Sequence, residues 1–407
     1  MYKNLDHLSP EEIEKLKERY YSKDKEKLSN IIKDYELDVR TGELVKLIPD
    51  LQLEEKCEHC GTPLKFRYKS RTYYYSADHK KGEPYCPKCG HLPEEKHCKC
   101  HICEEMRRQA AELERQRKLQ EIQRKKQAIY DAYIGNEPTK DFNDLTLREK
   151  ILLGTLCHAL IDENLAVLRP LEHFSGRIFY SEYAAGYGYE DDAIDIVREL
   201  FQSDILAVSF DSPIEAFTED NFPNRFYLNK VRFKINLKFS DGIAVCIKKL
   251  MYPEFDGSSL NGEALSDDDI WYIADMWKKL VLYDSYDFLL YEIDRVGFNF
   301  NIGEKTELSF KYMLENFSVA QIYNIVFRAV ALASKSYLEN GITKKHAANL
   351  ITGNCVRYAE SAVANGWDIK PYNRRSDLEQ TVLYEYFFNS LVRIGGLAFS
   401  VKNYGRG

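Results

Sequence analysis

Apolar residues recur three and four positions apart over most of the chain, and they alternate with polar ones in two short stretches. Near the start, Ser9-Pro10-Glu11-Glu12 combines an N-cap serine, a proline at the first helical position and a capping-box glutamate. Ile13, Leu16 and Tyr20 follow at helical spacing, a second helix carries Leu28, Ile31, Ile32 and Tyr35, and a third is expected over Thr41 to Leu47 before Pro49. Three short helices in this order form either a helical hairpin or a helix-turn-helix. Glu36 in the turn and Gly42 in the candidate recognition helix count against the second.

From Glu104 to Ile134 there is no Pro or Gly, and Glu, Arg, Lys, Gln and Ala dominate. This predicts a charged helix about 45 Å long. Its apolar residues, Met106, Ala110, Leu113, Leu119, Ile122 and Ile129, make only a patchy stripe, which suits a solvated helix better than a coiled coil. Gly135-Asn136-Glu137-Pro138 then marks a boundary.

Between 141 and 252 the pattern is mixed. Thr146 caps a helix through Leu160, and a second helix over Asp191 to Gln202 leads into the apolar run Ile205-Leu206-Ala207-Val208. From Tyr227 to Phe239, Val231, Phe233, Ile235, Leu237 and Phe239 alternate with Lys230, Arg232, Lys234, Asn236 and Lys238, as on a half-buried strand. Ser240-Asp241-Gly242 signals a hairpin turn, so helices followed by a strand pair suggest a winged-helix-like arrangement. Residues 253–407 read as helical: Ser266 through Leu280, Val319 to Glu339 ending at Asn340-Gly341, Lys344 to Asn365, and Asp377 to Val392. The expected fold class is therefore α+β, predominantly α, with five parts: a helical unit at 1–50, a metal module at 51–103, a linker helix at 104–135, a winged-helix-like domain at 141–252 and a helical domain at 253–407.

Composition changes this picture at one place. Seven of the ten cysteines (Cys57, Cys60, Cys86, Cys89, Cys98, Cys100 and Cys103) fall in one window, while Cys157, Cys246 and Cys355 stand alone in apolar contexts. No apolar run approaches the roughly 20 residues of a membrane span, and the charged start lacks a signal-peptide core. A cytoplasmic location follows as an expectation. Disulfides do not persist there, so clustered thiols point to metal. The lone cysteines read as small buried hydrophobes.

Cys57-x-x-Cys60 and Cys86-x-x-Cys89 each place two thiolates on one side of a tight turn, with Gly61 and Gly90 directly after. Together they supply the four sulfurs of a closed zinc site. Cys98, Cys100 and Cys103 supply three more, and His91, two residues past Cys89, is the expected fourth donor of a second structural zinc. His97 and His101 adjoin ligands and reach the same ion less readily. An interleaved cross-brace is an alternative assignment. The arrangement resembles the zinc-ribbon and treble-clef modules common in bacterial and archaeal nucleic-acid proteins, over about 50 residues. The larger order is similar to that of bacterial proteins from mobile elements or defence loci.

Net charge is −7, but residues 1–140 hold 29 Lys and Arg against 26 Asp and Glu, so the acidity lies in the remainder. Between the knuckles, Lys65, Arg67, Lys69 and Arg71 alternate with Leu64, Phe66 and Tyr68, and Tyr73, Tyr74 and Tyr75 follow. Cations suit phosphates and aromatic faces suit unpaired bases, although the tyrosines also suit a small domain's core. Lys230, Arg232 and Lys234 form a second basic face, with a solvated strand as the alternative. The expected partner is nucleic acid, DNA more than RNA. A protein adaptor or self-association through 104–135 and 253–407 is the first rival, and a metal-dependent nuclease the second. No phosphate-binding loop, HExxH or GxSxG motif is present. His346 reads as a helix start, Arg374-Arg375 as a surface patch, and Asp191, Asp192 and Asp267 to Asp269 as helix caps.

Overall fold

Several helices begin where capping residues stand. In the computed structural model, which describes residues 2–24, 26–76, 79–179 and 193–402, the Glu12 N–H donates to the Ser9 hydroxyl while the Glu12 carboxylate accepts from the Ser9 N–H. This capping box opens α1 (Pro10–Tyr20). Next come α2 (Leu28–Asp34) and α3, a single turn at Leu44–Leu47. Gly42 delays α3 and Pro49 forces Ile48 into extended backbone, so no third helix long enough for a recognition role forms. Of the two expected arrangements, the helical hairpin is the one built. Leu16, Tyr20, Ile31, Leu37, Leu44 and Ile48 make its core.

The chain divides into two compact units, Met1–Glu121 and Ile122–Gly407. In the first, β1 (Leu51–Lys56), β2 (Pro63–Tyr68) and β3 (Gly82–Tyr85) form an antiparallel sheet with β2 in the centre. A Cβ at Gly82 would lie 2.0 Å from the Arg67 carbonyl oxygen, so the approach of β3 to β2 requires glycine there. The short α4 (Arg71–Ser76) fills the long gap between the knuckles. Tyr68 and Tyr74 pack against the hairpin core, and the Tyr21 hydroxyl is shared between the Lys69 and Lys81 carbonyls. Sheet and hairpin therefore fold against each other.

The long helix α5 (His101–Tyr133) contains the boundary between the units. Every residue from 106 to 124 is exposed, and its apolar side chains form no continuous stripe, as a solvated charged helix requires. Near its end, Ile129 is buried in the second unit's core.

In the second unit, a Thr146–Glu149 capping box opens α6 (Leu147–Leu160), which is buried nearly all round. Strands β5 (Val167–Leu168), β6 (Leu206–Val208) and β7 (Phe233–Ile235) form an antiparallel sheet in the order β5-β7-β6. Helix α7 (Ala193–Gln202) leads into β6; the expected start of this helix at Asp191 and Asp192 lies outside the described residues. The alternation around β7 is real, since Val231, Phe233, Ile235 and Leu237 are all buried. The regular strand is shorter than expected. The Asn236 N–H turns to the Ile205 carbonyl, and beyond it β8 (Leu237–Lys238) pairs in parallel with β4 (Lys140–Asp141). Nor is Ser240-Asp241-Gly242 a hairpin turn: Gly242, at φ 86°, stands at the start of helix α8 (Ile243–Met251). Gly permits both turns, and as a helix the segment buries Cys246, Ile247 and Leu250.

The rest is helical. Helix α9 (Asp267–Arg295) opens at Ser266 as expected but runs far past Leu280, since no breaker intervenes. Then come α10 (Glu304–Asn316), α11 (Val319–Asn340) and α12 (Lys344–Asn365), the last two closed by left-handed glycines at 341 and 366. A short helix α13 (Val382–Glu385) and a π-helical turn (Tyr386–Leu391) replace the single helix expected over 377–392. The Tyr386 hydroxyl donates to the Leu250 carbonyl at 2.7 Å, and one hydrophobic core runs from Ile129 to Phe399. Residues 141–252 and 253–407 thus share a core. No helix among the described residues is long and apolar enough to cross a membrane.

Candidate metal centres

The two knuckles are alike. The Gly61 N–H donates to the Cys57 carbonyl and the Gly90 N–H to the Cys86 carbonyl, at 2.9 and 3.0 Å. Both glycines take positive φ, 69° and 71°, which turns the chain sharply after each second cysteine. Their four sulfurs converge: Cys57–Cys89 3.6 Å, Cys60–Cys86 3.3 Å and Cys60–Cys89 3.7 Å. A tetrahedral zinc with Zn–S near 2.3 Å has S···S edges of about 3.8 Å, so the cage already has close to the size of its ion.

The thiols are unlike in their electrostatics. Hydrogen bonds from the Thr62 hydroxyl and backbone hold the Cys60 thiol down at about 6, whereas burial pushes Cys89 up to about 12. Four sulfurs this close cannot all carry charge without a cation among them.

A second cluster lies beside the first. One donor atom each from His59, His91, Cys100 and Cys103 falls within 4.8 Å of every other. His91 is 4% exposed, and its Nδ1 lies 3.3 Å from Cys103 Sγ and 4.0 Å from Cys100 Sγ. His59 Nε2 lies 3.1 Å from Cys103 Sγ. A zinc bound by both sulfur and imidazole nitrogen has N···S edges of about 3.5 Å. The two clusters fit two structural zinc sites.

The second cluster contains a histidine absent from the expected set, which was His91, Cys98, Cys100 and Cys103. Cys98 is buried beside these four: its sulfur accepts N–H groups from Leu92 and Cys100, at 3.3 and 3.5 Å, and its thiol also interacts with those of Cys100 and Cys103. His59 stands with His91, Cys100 and Cys103 in the cluster. The signal was present, since one histidine accompanies each knuckle: His59 inside the first pair and His91 just after the second. Its position between two cysteines of the other site concealed it.

No protein-family model, curated protein or solved structure matches this chain.

The expected basic face of β2 is partly occupied from within. The Arg67 guanidinium sits 3.9 Å over the Tyr85 ring and is exposed, with Lys65 half-buried on the same side of the strand. Lys69 pairs with Glu83 and lies over Tyr73. Arg71 donates to the Glu26 carbonyl, tying α4 to the hairpin. Of the three tyrosines, Tyr74 packs edge-to-face against Tyr21 and the Tyr75 hydroxyl donates to the Ser22 carbonyl, so these two serve packing. In the second unit, Arg232 faces Asp211 at 2.8 Å and Asp162 at 3.7 Å. Lys234 donates to the Asn136 carbonyl, and Lys230 lies over Tyr227.

The isolated cysteines are buried, and burial pushes Cys157 and Cys355 up to about 12. His346 lies at a helix start, where its N–H donates to Thr343. Arg374 is not on a surface patch: it pairs with buried Asp284 and donates to the Tyr384 hydroxyl at 2.8 Å.

Proposed function

We propose that this chain is a zinc-stabilised nucleic-acid-binding protein, with DNA the preferred partner, whose contact surface is the exposed side of the zinc ribbon. The observation that carries this reading is the pairing of Lys65 and Arg67 on the central strand with a tyrosine ring under the guanidinium. Such a surface offers two cations to phosphates and a planar stack to a base. The metal keeps the small sheet rigid enough to present it. The segment order α6, β5, α7, β6, β7, with β7 between the other two strands, supports a winged-helix-like arrangement within residues 141–252. Because Arg232 and Lys234 are committed inside that unit, the reading places the principal contact on the ribbon.

The test is binding of the zinc-loaded protein to labelled duplex and single-stranded DNA and to RNA across a salt series. Each phosphate contact contributes about 0.9 to the logarithmic salt slope on duplex and about 0.7 on single strands. Replacing Lys65 and Arg67 together by alanine should therefore flatten the slope by roughly 1.4 to 1.8. An unchanged slope, or no binding at low salt, would count against the proposal. A second reading, a protein adaptor, is favoured by the exposed stretch of α5 carrying Met106, Leu113 and Leu119. Association with a partner protein that ignores salt, without affinity for nucleic acid, would establish it instead.

A further inference from the structure

We propose that the second metal ion is held by His59, His91, Cys100 and Cys103, that it loads only after the first, and that it pins the start of α5 to the ribbon. This rests on both clusters being zinc sites and not on nucleic-acid binding.

The two sites differ in where their donors come from. Site one draws only on the two knuckles. Site two draws half its donors from the same turns: His59 lies between Cys57 and Cys60, and His91 follows Cys89. The Cys86 N–H donates to the His91 carbonyl at 2.8 Å, so the fold of the second knuckle fixes where His91 begins. Once the first ion closes both turns, the two imidazoles meet, with ring centroids 4.2 Å apart. Without it, only the pairing of β1, β2 and β3 holds the two turns near each other, and the second ion must supply the remaining ordering from its own binding free energy. The dependence runs one way, because site one takes no donor from residues 92–103.

The imidazoles carry the marks of ligands. His91 is buried, its Nδ1 faces two sulfurs, and its Nε2 has no hydrogen-bond partner. The Glu58 carboxylate lies 3.2 Å from that Nε2, out of hydrogen-bond alignment. A carboxylate behind the far nitrogen is the usual second support of a metal-bound histidine. Cys98 stands next to this set: its sulfur accepts two backbone N–H groups and its thiol interacts with those of Cys100 and Cys103, and we assign it the shaping of the loop between His91 and Cys100 rather than the ion.

The remaining donors belong to α5. Cys100 immediately precedes the helix, and its sulfur accepts the Cys103 N–H at 3.4 Å, the bond an N-cap side chain makes. Thiolate charge is favoured at that position. An ion shared by Cys100, Cys103 and the two histidines therefore ties the first turn of a long exposed helix to the sheet.

The experiment counts zinc in the full-length protein by native mass spectrometry. Two ions are expected in the unmutated protein and in Cys98→Ser, and one in His59→Asn and in His91→Asn. Loss of an ion from Cys98→Ser, or two retained in His59→Asn, would overturn the ligand set. Loading order is read with cobalt(II) in the unmutated protein, so that no folding defect intervenes. The first equivalent should show four-thiolate charge transfer, and the second should add roughly half as much intensity, in proportion to its two sulfurs. A second increment of roughly three quarters would restore Cys98 as a ligand. Simultaneous filling of both sites would end the sequential claim. In His59→Asn, hydrogen exchange should rise over residues 98–112 and stay unchanged over 51–68; no rise would refute the pinning of α5.

Discussion

Chelating the zinc should unfold the ribbon and leave the larger unit intact, because, apart from the contacts that Tyr68 and the ends of β2 and β3 make with the hairpin, little but metal holds the sheet. Its buried core consists of Cys57, Leu64 and Cys86, with Leu53, Cys60 and Cys89 packed against it. Two of those three buried side chains are metal donors, so within this cluster Leu64 is the one buried apolar group that acts without metal. Burying a leucine fully contributes about 1.5–3 kcal/mol. Ordering each residue's backbone costs about 1–2 kcal/mol, so one leucine offsets the ordering of only one or two residues of the sheet. A structural zinc contributes about 10–16 kcal/mol near neutral pH, several times the leucine's share. Leu64→Ala should therefore lower stability by about 2–5 kcal/mol while the sheet stays folded around its metal. Cys57→Ser combined with Cys86→Ser, or a strong chelator, should abolish the sheet. Hydrogen exchange on the full chain separates the cases: amides of β1 to β3 lose protection on chelation, and those of α11 and α12 do not. Protection of the sheet surviving verified metal removal would refute this reasoning. So would Leu64→Ala unfolding it as completely as the double serine variant.

Three further outcomes follow from side chains outside the ribbon. Glu149 is partly buried, which raises its pKa, but Lys140 at 2.8 Å and the Thr146 cap outweigh this and hold it below the ordinary carboxylate range. Its contribution is therefore present above the unfolded value and lost as pH falls through the folded one. Glu149→Gln should cost about 1 kcal/mol at pH 7, with the gap closing below pH of about 4 in urea titrations. Asp284→Asn removes the buried carboxylate that the partly exposed guanidinium of Arg374 pairs with and should cost about 1.5–3 kcal/mol in the second unit's unfolding transition; a cost under about 0.5 kcal/mol would contradict the pairing. Alkylating reagents should leave Cys157 and Cys355 unmodified in the folded protein, while chelation exposes the cysteines between 57 and 103 to reaction.

Signals that act over a few residues were legible in the sequence. Ser9, Thr146 and Ser266 cap helices through bonds made within three positions of themselves, and the two CxxC pairs carry their turn glycines with them. Features decided by distant partners were harder to read. Gly242 can start a hairpin or a helix, and only the burial of Ile247 and Leu250 against the rest of the unit selects the helix. The π-helical turn at 386–391 places Tyr386, Phe387 and Phe388 in one core, a constraint absent from local spacing. Arg374 looked like surface because its partner, Asp284, is 90 positions away. His59 was hidden for a related reason: its neighbours in sequence belong to one metal site and its neighbours in space to the other. Lys69 and Arg71 matched a basic strand face by alternation alone, and the fold gives them Glu83 and the Glu26 carbonyl.

The central claim, that a metal-built ribbon presents Lys65 and Arg67 to nucleic acid, is tested most directly by one binding measurement run in parallel. Labelled DNA at low salt is titrated with the zinc-loaded protein, with the chelated protein, and with the Lys65→Ala/Arg67→Ala variant retaining two zinc ions. The account predicts tight binding for the first, and strong loss for the second. It predicts partial loss with a flatter salt dependence for the third. Equal binding by all three would contradict it and move the functional surface off the ribbon.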